Sequence, residues 1–349
     1  YTYSPVNEED GVVPSGVTYS WGIPDTTDST VQGTSGTNQN EFTTGIIEND
    51  DLNVAATLTY IVTPTILATG CEGEDFTVTV IVNPEPQIDD FAETICEGDT
   101  FASITPVNDT NGVVPSGTTY TWVIADDSSP NVLGGSASTA PSATIPGSEL
   151  TLSDGTTSPQ DLIYTVTPNT EEGCEGEDFT VTITVNPTPT MDAPPNIEVC
   201  NGEEVVIDFT TENTGGVTTY EWSAQDDSIG LTSISGLVTD TDADITFTAS
   251  NSDPDPRVVI VSVTPIFTNN GVECTTSPAE TFTITVNPEP QINNFEETIC
   301  EGDTFASIIP QDVTNGVVPA GTTYTWVIAT ASSNNVEGGS ASTAASATI

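Results

Sequence analysis

Phe179-Thr-Val-Thr-Ile-Thr-Val185 puts Phe179, Val181, Ile183 and Val185 on one side of an extended chain and Thr180, Thr182 and Thr184 on the other. Successive side chains of a strand point to opposite faces, so this period-2 alternation describes a strand with one buried side. The pattern returns in Phe76 to Val82 and in Phe282 to Val286. Each copy runs into an Asn-Pro-x-Pro segment, at 83–86, 186–189 and 287–290. Proline lacks the ladder donor and biases its neighbour to extended geometry, so each of these segments ends a strand and serves as a short, stiff linker.

Working outward from that strand, the whole chain proves repetitive. Gly-Val-Val-Pro-Ser-Gly at 112–117 recurs at 11–16 and, with Ala for Ser, at 316–321, which makes the unit about 102 residues. A Tyr-x-Trp follows at Tyr19/Trp21, Tyr120/Trp122, Tyr220/Trp222 and Tyr324/Trp326, and takes in all four tryptophans. Tyr60-Ile-Val-Thr-Pro64 and Tyr164-Thr-Val-Thr-Pro168 precede Gly-Cys-Glu-Gly-Glu-Asp-Phe at 70–76 and 173–179. The linkers then divide the chain into a partial repeat at 1–84 without its first strand, a complete repeat at 85–187, a complete diverged one at 188–287, and a partial one at 288–349 without its last strands. The partial ends read as a window on a longer repetitive chain, with strand exchange between neighbouring molecules as the alternative.

Within 85–187 the alternation marks strands at 92–96, 100–105 and 118–124, two more between 132 and 152, then 161–167 and 179–185. Seven short strands in about 100 residues, with a tryptophan on the third, describe an immunoglobulin-like sandwich. The expected fold is all-β, a tandem array of such sandwiches forming an extended rod. Trp21, Trp122, Trp222 and Trp326 are expected in the cores.

Composition agrees. There are 61 Val plus Ile against 9 Leu, and β-branching favours pleated, half-buried surfaces. The 28 Gly and 25 Pro supply turns and oppose long helices. Acidic residues number 52 against a single basic one, Arg257, with no histidine, for a net charge of −51. Nucleic-acid binding needs Lys and Arg against phosphates, and an anionic membrane surface needs a polybasic patch, so neither partner is expected. The absence of His and Lys also removes the Ser-His-Asp triad, the Cys-His pair, the Schiff-base lysine and histidine-containing zinc sites. No apolar run reaches the roughly 20 residues of a membrane span. No enzyme activity is expected, and no targeting signal is visible ahead of Tyr1.

Six cysteines, at 71, 96, 174, 200, 274 and 300, fall two to a repeat, as in an oxidised extracytoplasmic protein. Cys96, Cys200 and Cys300 follow the first strand, whereas Cys71, Cys174 and Cys274 lie between the last two strands. Those places are at opposite ends of a sandwich. An 8-residue strand spans about 27 Å, while a disulfide needs Cα atoms within about 7 Å. The preferred pairing is therefore cross-domain, Cys96–Cys274, with intradomain Cys96–Cys174 as the alternative.

The carboxylates concentrate in turns and junctions. Asp89, Asp90, Glu97, Asp99, Asp240, Asp242 and Asp244 are candidate Ca²⁺ ligands, since calcium takes 6 to 8 oxygens in flexible geometry. No stretch matches an EF-hand loop, and the competing reading is a solvated anionic surface that keeps a long fibre soluble. Paired acids would also suit glycoside hydrolysis, but these lie in turns of a repeated unit and not across a cleft.

Tyr-x-Trp, Tyr-x-Val-Thr-Pro, Gly-Cys-Glu-Gly with its following strand and Asn-Pro, and Ile-Cys-Glu-Gly-Asp together resemble the PKD-like and immunoglobulin-like tandem repeats of very large Bacteroidota cell-surface proteins, among them SprB-like gliding-motility adhesins exported by type 9 secretion. The resemblance covers essentially the whole chain. It implies an extracellular or cell-surface filament, with other segments of the same chain, surface glycans or abiotic surfaces as partners, and it carries no catalytic residues. Three functions are therefore weighed: a structural stalk of an adhesin, calcium-dependent glycan-binding modules, and spacer repeats of a secreted enzyme. Buried tryptophans in every copy point to the first; aromatic side chains exposed on one face of each domain point to the second.

Overall fold

The computed structural model describes residues 1–27, 31–49, 54–192, 194–239, 245–275, 279–329 and 336–349. Every regular element among them is a β-strand, and the chain is an all-β array of tandem sandwiches. It separates into two compact units, Tyr1–Asp154 with Gln160–Val185, and Gly155–Pro159 with Asn186–Ile349.

In the first unit, the first repeat is built on β1 (Val17–Trp21), β2 (Gly36–Gln39), β3 (Ala56–Ile66) and β4 (Phe76–Val82). The central β3 is antiparallel to β1 on one side and to β4 on the other, with β2 outside β1. Tyr19, Trp21, Phe42, Leu58 and Tyr60 form the core. Among the described residues β4 is paired along one edge only.

The second repeat adds β5 (Phe91–Cys96), β6 (Thr119–Ile124), β7 (Gln160–Asn169) and β8 (Phe179–Asn186), in the sheet order β5-β8-β7-β6. Here the last strand is covered on both edges, and Phe179, Val181, Ile183 and Val185 are all buried. Upstream of β5, Gln87–Ile88 pairs with Gly112–Val113. The opposite layer is sparse. Val132–Leu133 pairs with Thr151–Leu152, while the strand expected at 100–105 shrinks to two bridges, Thr100 to Glu149 and Ile104 to Ile145. Two causes are local. The Ala102 amide donates to the Glu93 carboxylate at 3.1 Å, and Pro106 has no donor with which to extend a ladder.

The second unit holds β9 (Ile197–Cys200), β10 (Glu204–Ile207), β11 (Val217–Ala224), β12 (Ser235–Thr239), β13 (Ile245–Thr248), β14 (Arg257–Asn269), β15 (Val272–Thr275) and β16 (Glu280–Asn287). One sheet runs β9-β16-β14-β11-β12 with β15 paired to β14; β10 and β13 form the other. All neighbours are antiparallel except β9 and β16, which are parallel, Ile197 facing Ile284 and Cys200 facing Asn287. Val205 and Ile207 of one layer meet Trp222, Val261 and Ile284 of the other in the core. In the final repeat Gln291–Ile292 pairs with Gly316–Val317.

Trp21, Trp122 and Trp222 are buried, as a core role requires. Trp326 departs from the expectation and is only half-buried. Its indole N–H still donates to the Ser340 carbonyl at 3.0 Å, as Trp122 does to Ser136 at 3.0 Å. What differs is the neighbour. Trp122 faces Val166 of β7, and no strand stands in that place among the described residues of 288–349.

Candidate functional site

Two of the turn carboxylates accept backbone amides. Asp90 accepts the Thr180 amide at 2.6 Å, and Glu97 accepts the Leu152 amide at 3.3 Å. Asp99 closes its turn through the backbone, its amide donating to Cys96 and its carbonyl accepting from Leu150, each at 3.0 Å. The Asp89 amide donates to the Asn111 carbonyl at 3.1 Å. A carboxylate that holds a backbone amide orders its own loop. Among the described residues no group of three or more acidic, Cys or His side chains gathers where it could hold a metal ion. Asp240, Asp242 and Asp244 lie outside the described residues. Arg257, the one basic side chain, contacts Asp253 at 2.5 Å.

Cys96 and Cys274 are disulfide-bonded, whereas Cys71, Cys174, Cys200 and Cys300 are free thiols. Because Cys174 is free, the alternative Cys96–Cys174 bond is not formed. Within the third repeat Cys200 faces Asn287 at the far end of β16, and Cys274 faces Phe267 in the hairpin that precedes β16. A strand of that length spans about 27 Å. The two cysteine positions of one repeat thus stand at opposite ends of its sheet.

Two open grooves lie in the first and last repeats. One groove, about 560 Å³, is lined by Val12, Val13, Tyr19, Pro64, Ile66 and Phe76 of the first repeat. Another, about 610 Å³, is lined by Phe295, Ile299, Phe305 and Ile309 of the last. The corresponding place in the second repeat is a smaller space of about 280 Å³, lined by Gln87, Ile88, Gly112 and Val113. Near the mouth of the first groove the Tyr3 hydroxyl donates to the Asp10 carboxylate. That bond, with a smaller contribution from burial, pushes Tyr3 up to about 12. The same bond, together with the Val6 amide, holds Asp10 below the usual carboxylate range against the opposing effect of burial. Sequence reasoning did not find these grooves; the signal available to it was the same strand motif appearing with and without its first-strand partner.

Repeated two-layer sheets with buried Tyr-x-Trp motifs define the class: tandem immunoglobulin-like β-sandwiches. The chain belongs to the PKD-like domain family, whose model matches residues 6–86, 93–189 and 197–290. Its structural neighbours include three N-terminal domains of the highly immunogenic outer capsid protein Hoc of bacteriophage RB49, at 12% identity, 82% of this chain, 92% of that one and a TM-score of 0.40. An I-band fragment of titin is similar at 10% identity, 79% and 89% coverage and a TM-score of 0.36. Extracellular domains 3–5 of Drosophila OTK are similar at 11% identity, 80% and 89% coverage and a TM-score of 0.30. No curated protein matches the chain. No helix among the described residues is long and apolar enough to cross a membrane.

Proposed function

We propose that this chain is a stalk section of a large bacterial cell-surface adhesin, extracellular or secreted, serving surface attachment or gliding movement and not catalysis. The observation that carries the reading is the burial of Trp21, Trp122 and Trp222 in three successive family-matched repeats. An aromatic side chain spent on a core offers no platform for a sugar ring. The half-cystines at 96 and 274 suit an oxidising compartment. With the other four thiols free, the cross-domain bond Cys96–Cys274 is the pairing we propose, a covalent tie between the second and third repeats that resists extension.

Beads coated with the 349-residue chain and passed over immobilised glycans, with calcium and then with EDTA, test the reading. A stalk gives no calcium-dependent retention; retention lost in EDTA replaces it with the glycan-binding reading. Non-reducing peptide mapping tests the tie, and recovery of Cys96 with any partner other than Cys274 rejects it.

A further inference from the structure

The sequence contains two Asp-Pro peptides, Asp253–Pro254 and Asp255–Pro256, and both stand in the loop that joins β13 to β14 in the third repeat. An Asp-Pro bond can be cut by its own side chain. The Asp carboxyl closes a ring on its own backbone carbonyl, and the proline nitrogen, which carries no N–H, departs as a secondary amine.

The fold treats the two bonds differently. Arg257 donates to Asp253 Oδ2 through Nε at 2.8 Å and through a terminal nitrogen at 2.5 Å, so that carboxylate is held in an ion pair. Asp255 is exposed, and among the described residues its carboxylate takes no hydrogen bond or ion pair. Its backbone carbonyl, in contrast, is gripped. Asn251 is only 4% exposed, and its Nδ2 donates to the Asp255 carbonyl oxygen at 2.9 Å and to the Val286 carbonyl at 2.8 Å. The rest of Asn251 is fixed as well: its amide donates to Asn201 Oδ1 at 2.8 Å, and its own Oδ1 accepts the Asp253 amide at 2.9 Å.

A fixed donor at that distance is placed for the negative charge that gathers on a carbonyl oxygen when its carbon is attacked. The donor itself belongs to the repeat. In the first repeat Asn49 donates in the same way to the Val54 and Val82 carbonyls, at 2.9 and 3.0 Å. There the gripped carbonyl precedes Ala55, and neither a carboxyl nor a proline is at hand. The third repeat sets the donor on an Asp-Pro carbonyl.

We propose that the third repeat cuts its own chain between Asp255 and Pro256 in mild acid. An Asp255 carboxylate oxygen bonds to the Asp255 carbonyl carbon while Asn251 Nδ2 steadies the carbonyl oxygen. The bond to the Pro256 nitrogen then breaks, and that nitrogen takes its proton from the acid. The cyclic anhydride left on Asp255 adds one water and opens to a C-terminal Asp. The net reaction is hydrolysis of one peptide bond, with water as the sole co-reactant. The charged groups around the loop are Asp253 and Arg257 on it, Asp226 and Asp227 in the turn whose Ser228 carbonyl accepts from Arg257, and Glu203 in the turn beside Asn201. All but Arg257 are carboxyls, so the choice between the two bonds rests on that one cation. The products, 1–255 and 256–349, stay joined by the pairing of β14 with β11 and β16 and by the Cys96–Cys274 bond proposed above. The inference is independent of the adhesin reading.

Mass spectrometry of the whole chain tests it, after incubation at pH ~4 with circular dichroism confirming the fold, and after reduction of the disulfide. Fragments 1–255 and 256–349 are expected, with at least about tenfold less cutting after Asp253 than after Asp255. In urea at the same pH the preference is expected to vanish and cutting after Asp255 to slow, because Asn251 no longer holds the carbonyl. Asp255→Ala is expected to abolish the cut at 255. Arg257→Gln is expected to raise cutting after Asp253 and to leave cutting after Asp255 unchanged. A folded chain that stays intact, equal cutting at the two bonds, or faster cutting after Asp255 in urea overturns the proposal.

Discussion

β4 and β8 carry almost the same motif, Phe-Thr-Val-Thr followed by alternating apolar positions and Asn-Pro, yet they finish in different surroundings. β8 lies between β7 and β5, with its four inward side chains buried; among the described residues β4 is paired only with β3, and only Val78 of its apolar series is buried. The difference teaches that the last strand of each repeat supplies an apolar face but cannot cover it. Coverage comes from the first-strand segment, which lies about 90 residues away in the sequence, as the Asp90 to Thr180 bond shows.

The tryptophans extend the comparison to the last repeat, and they give its largest expected effect. Trp122→Ala should cost about 3–5 kcal/mol, the usual range for emptying a packed aromatic site. Trp326→Ala, in a half-open site, should cost under about 1 kcal/mol. Denaturant unfolding of each variant checks the pair, and equal losses would break the contrast between covered and uncovered repeats.

A smaller effect sharpens the comparison at the glycines. Gly176→Ala drives a methyl group into the Pro86 carbonyl and should cost about 1–3 kcal/mol, as overpacking does. Gly73→Ala, facing open space apart from Pro64, should change the midpoint of urea unfolding little.

Alkaline pH separates the repeats by a different route. Burial pushes Tyr120 up to about 12, because the phenolate is disfavoured away from water. The folded value lies above the unfolded value of about 10, so this contribution is complete below pH ~10 and is lost as pH rises toward 12. Tyr3 has the same sign through Asp10, but it sits at the rim of the open repeat, and salt should weaken its effect more. Ultraviolet titration of Tyr120→Phe and Tyr3→Phe checks the order, with the larger change in alkaline stability expected for Tyr120→Phe.

Arg257 provides the smallest effect. Its contact with Asp253 is partly solvent-exposed, and Arg257→Gln should shift stability by under about 1 kcal/mol. A larger loss would mean that the sole cation holds more of the third repeat together than its ion pair does.

Much of the fold was legible in the order of residues. Alternation at 179–185, the Tyr-x-Trp motif and the Asn-Pro ends each concern a few adjacent positions, and each places a strand or a stop. The strand expected at 100–105 failed because its amides found side-chain and turn partners, a competition that depends on the Glu93 side chain reaching over from the neighbouring strand. The parallel pairing of β9 with β16 was not legible either, since alternation reports which face is apolar and not which way a neighbour runs. The turn carboxylates were legible as a cluster in sequence; that Asp90 and Glu97 each accept a separate backbone amide was not.

Sequence alone determined the all-β class, the repeat length, the strands with one apolar face and the exclusion of chemistry that needs histidine or lysine, because these depend on backbone geometry and on which groups are present. Tertiary structure decided which of those apolar faces are covered: Val185 and Trp122 are buried while Val82 and Trp326 are not, although their local motifs match. The reason is physical. Burial belongs to a pair of surfaces, and the second surface comes from a strand far along the chain, as β5 covers β8.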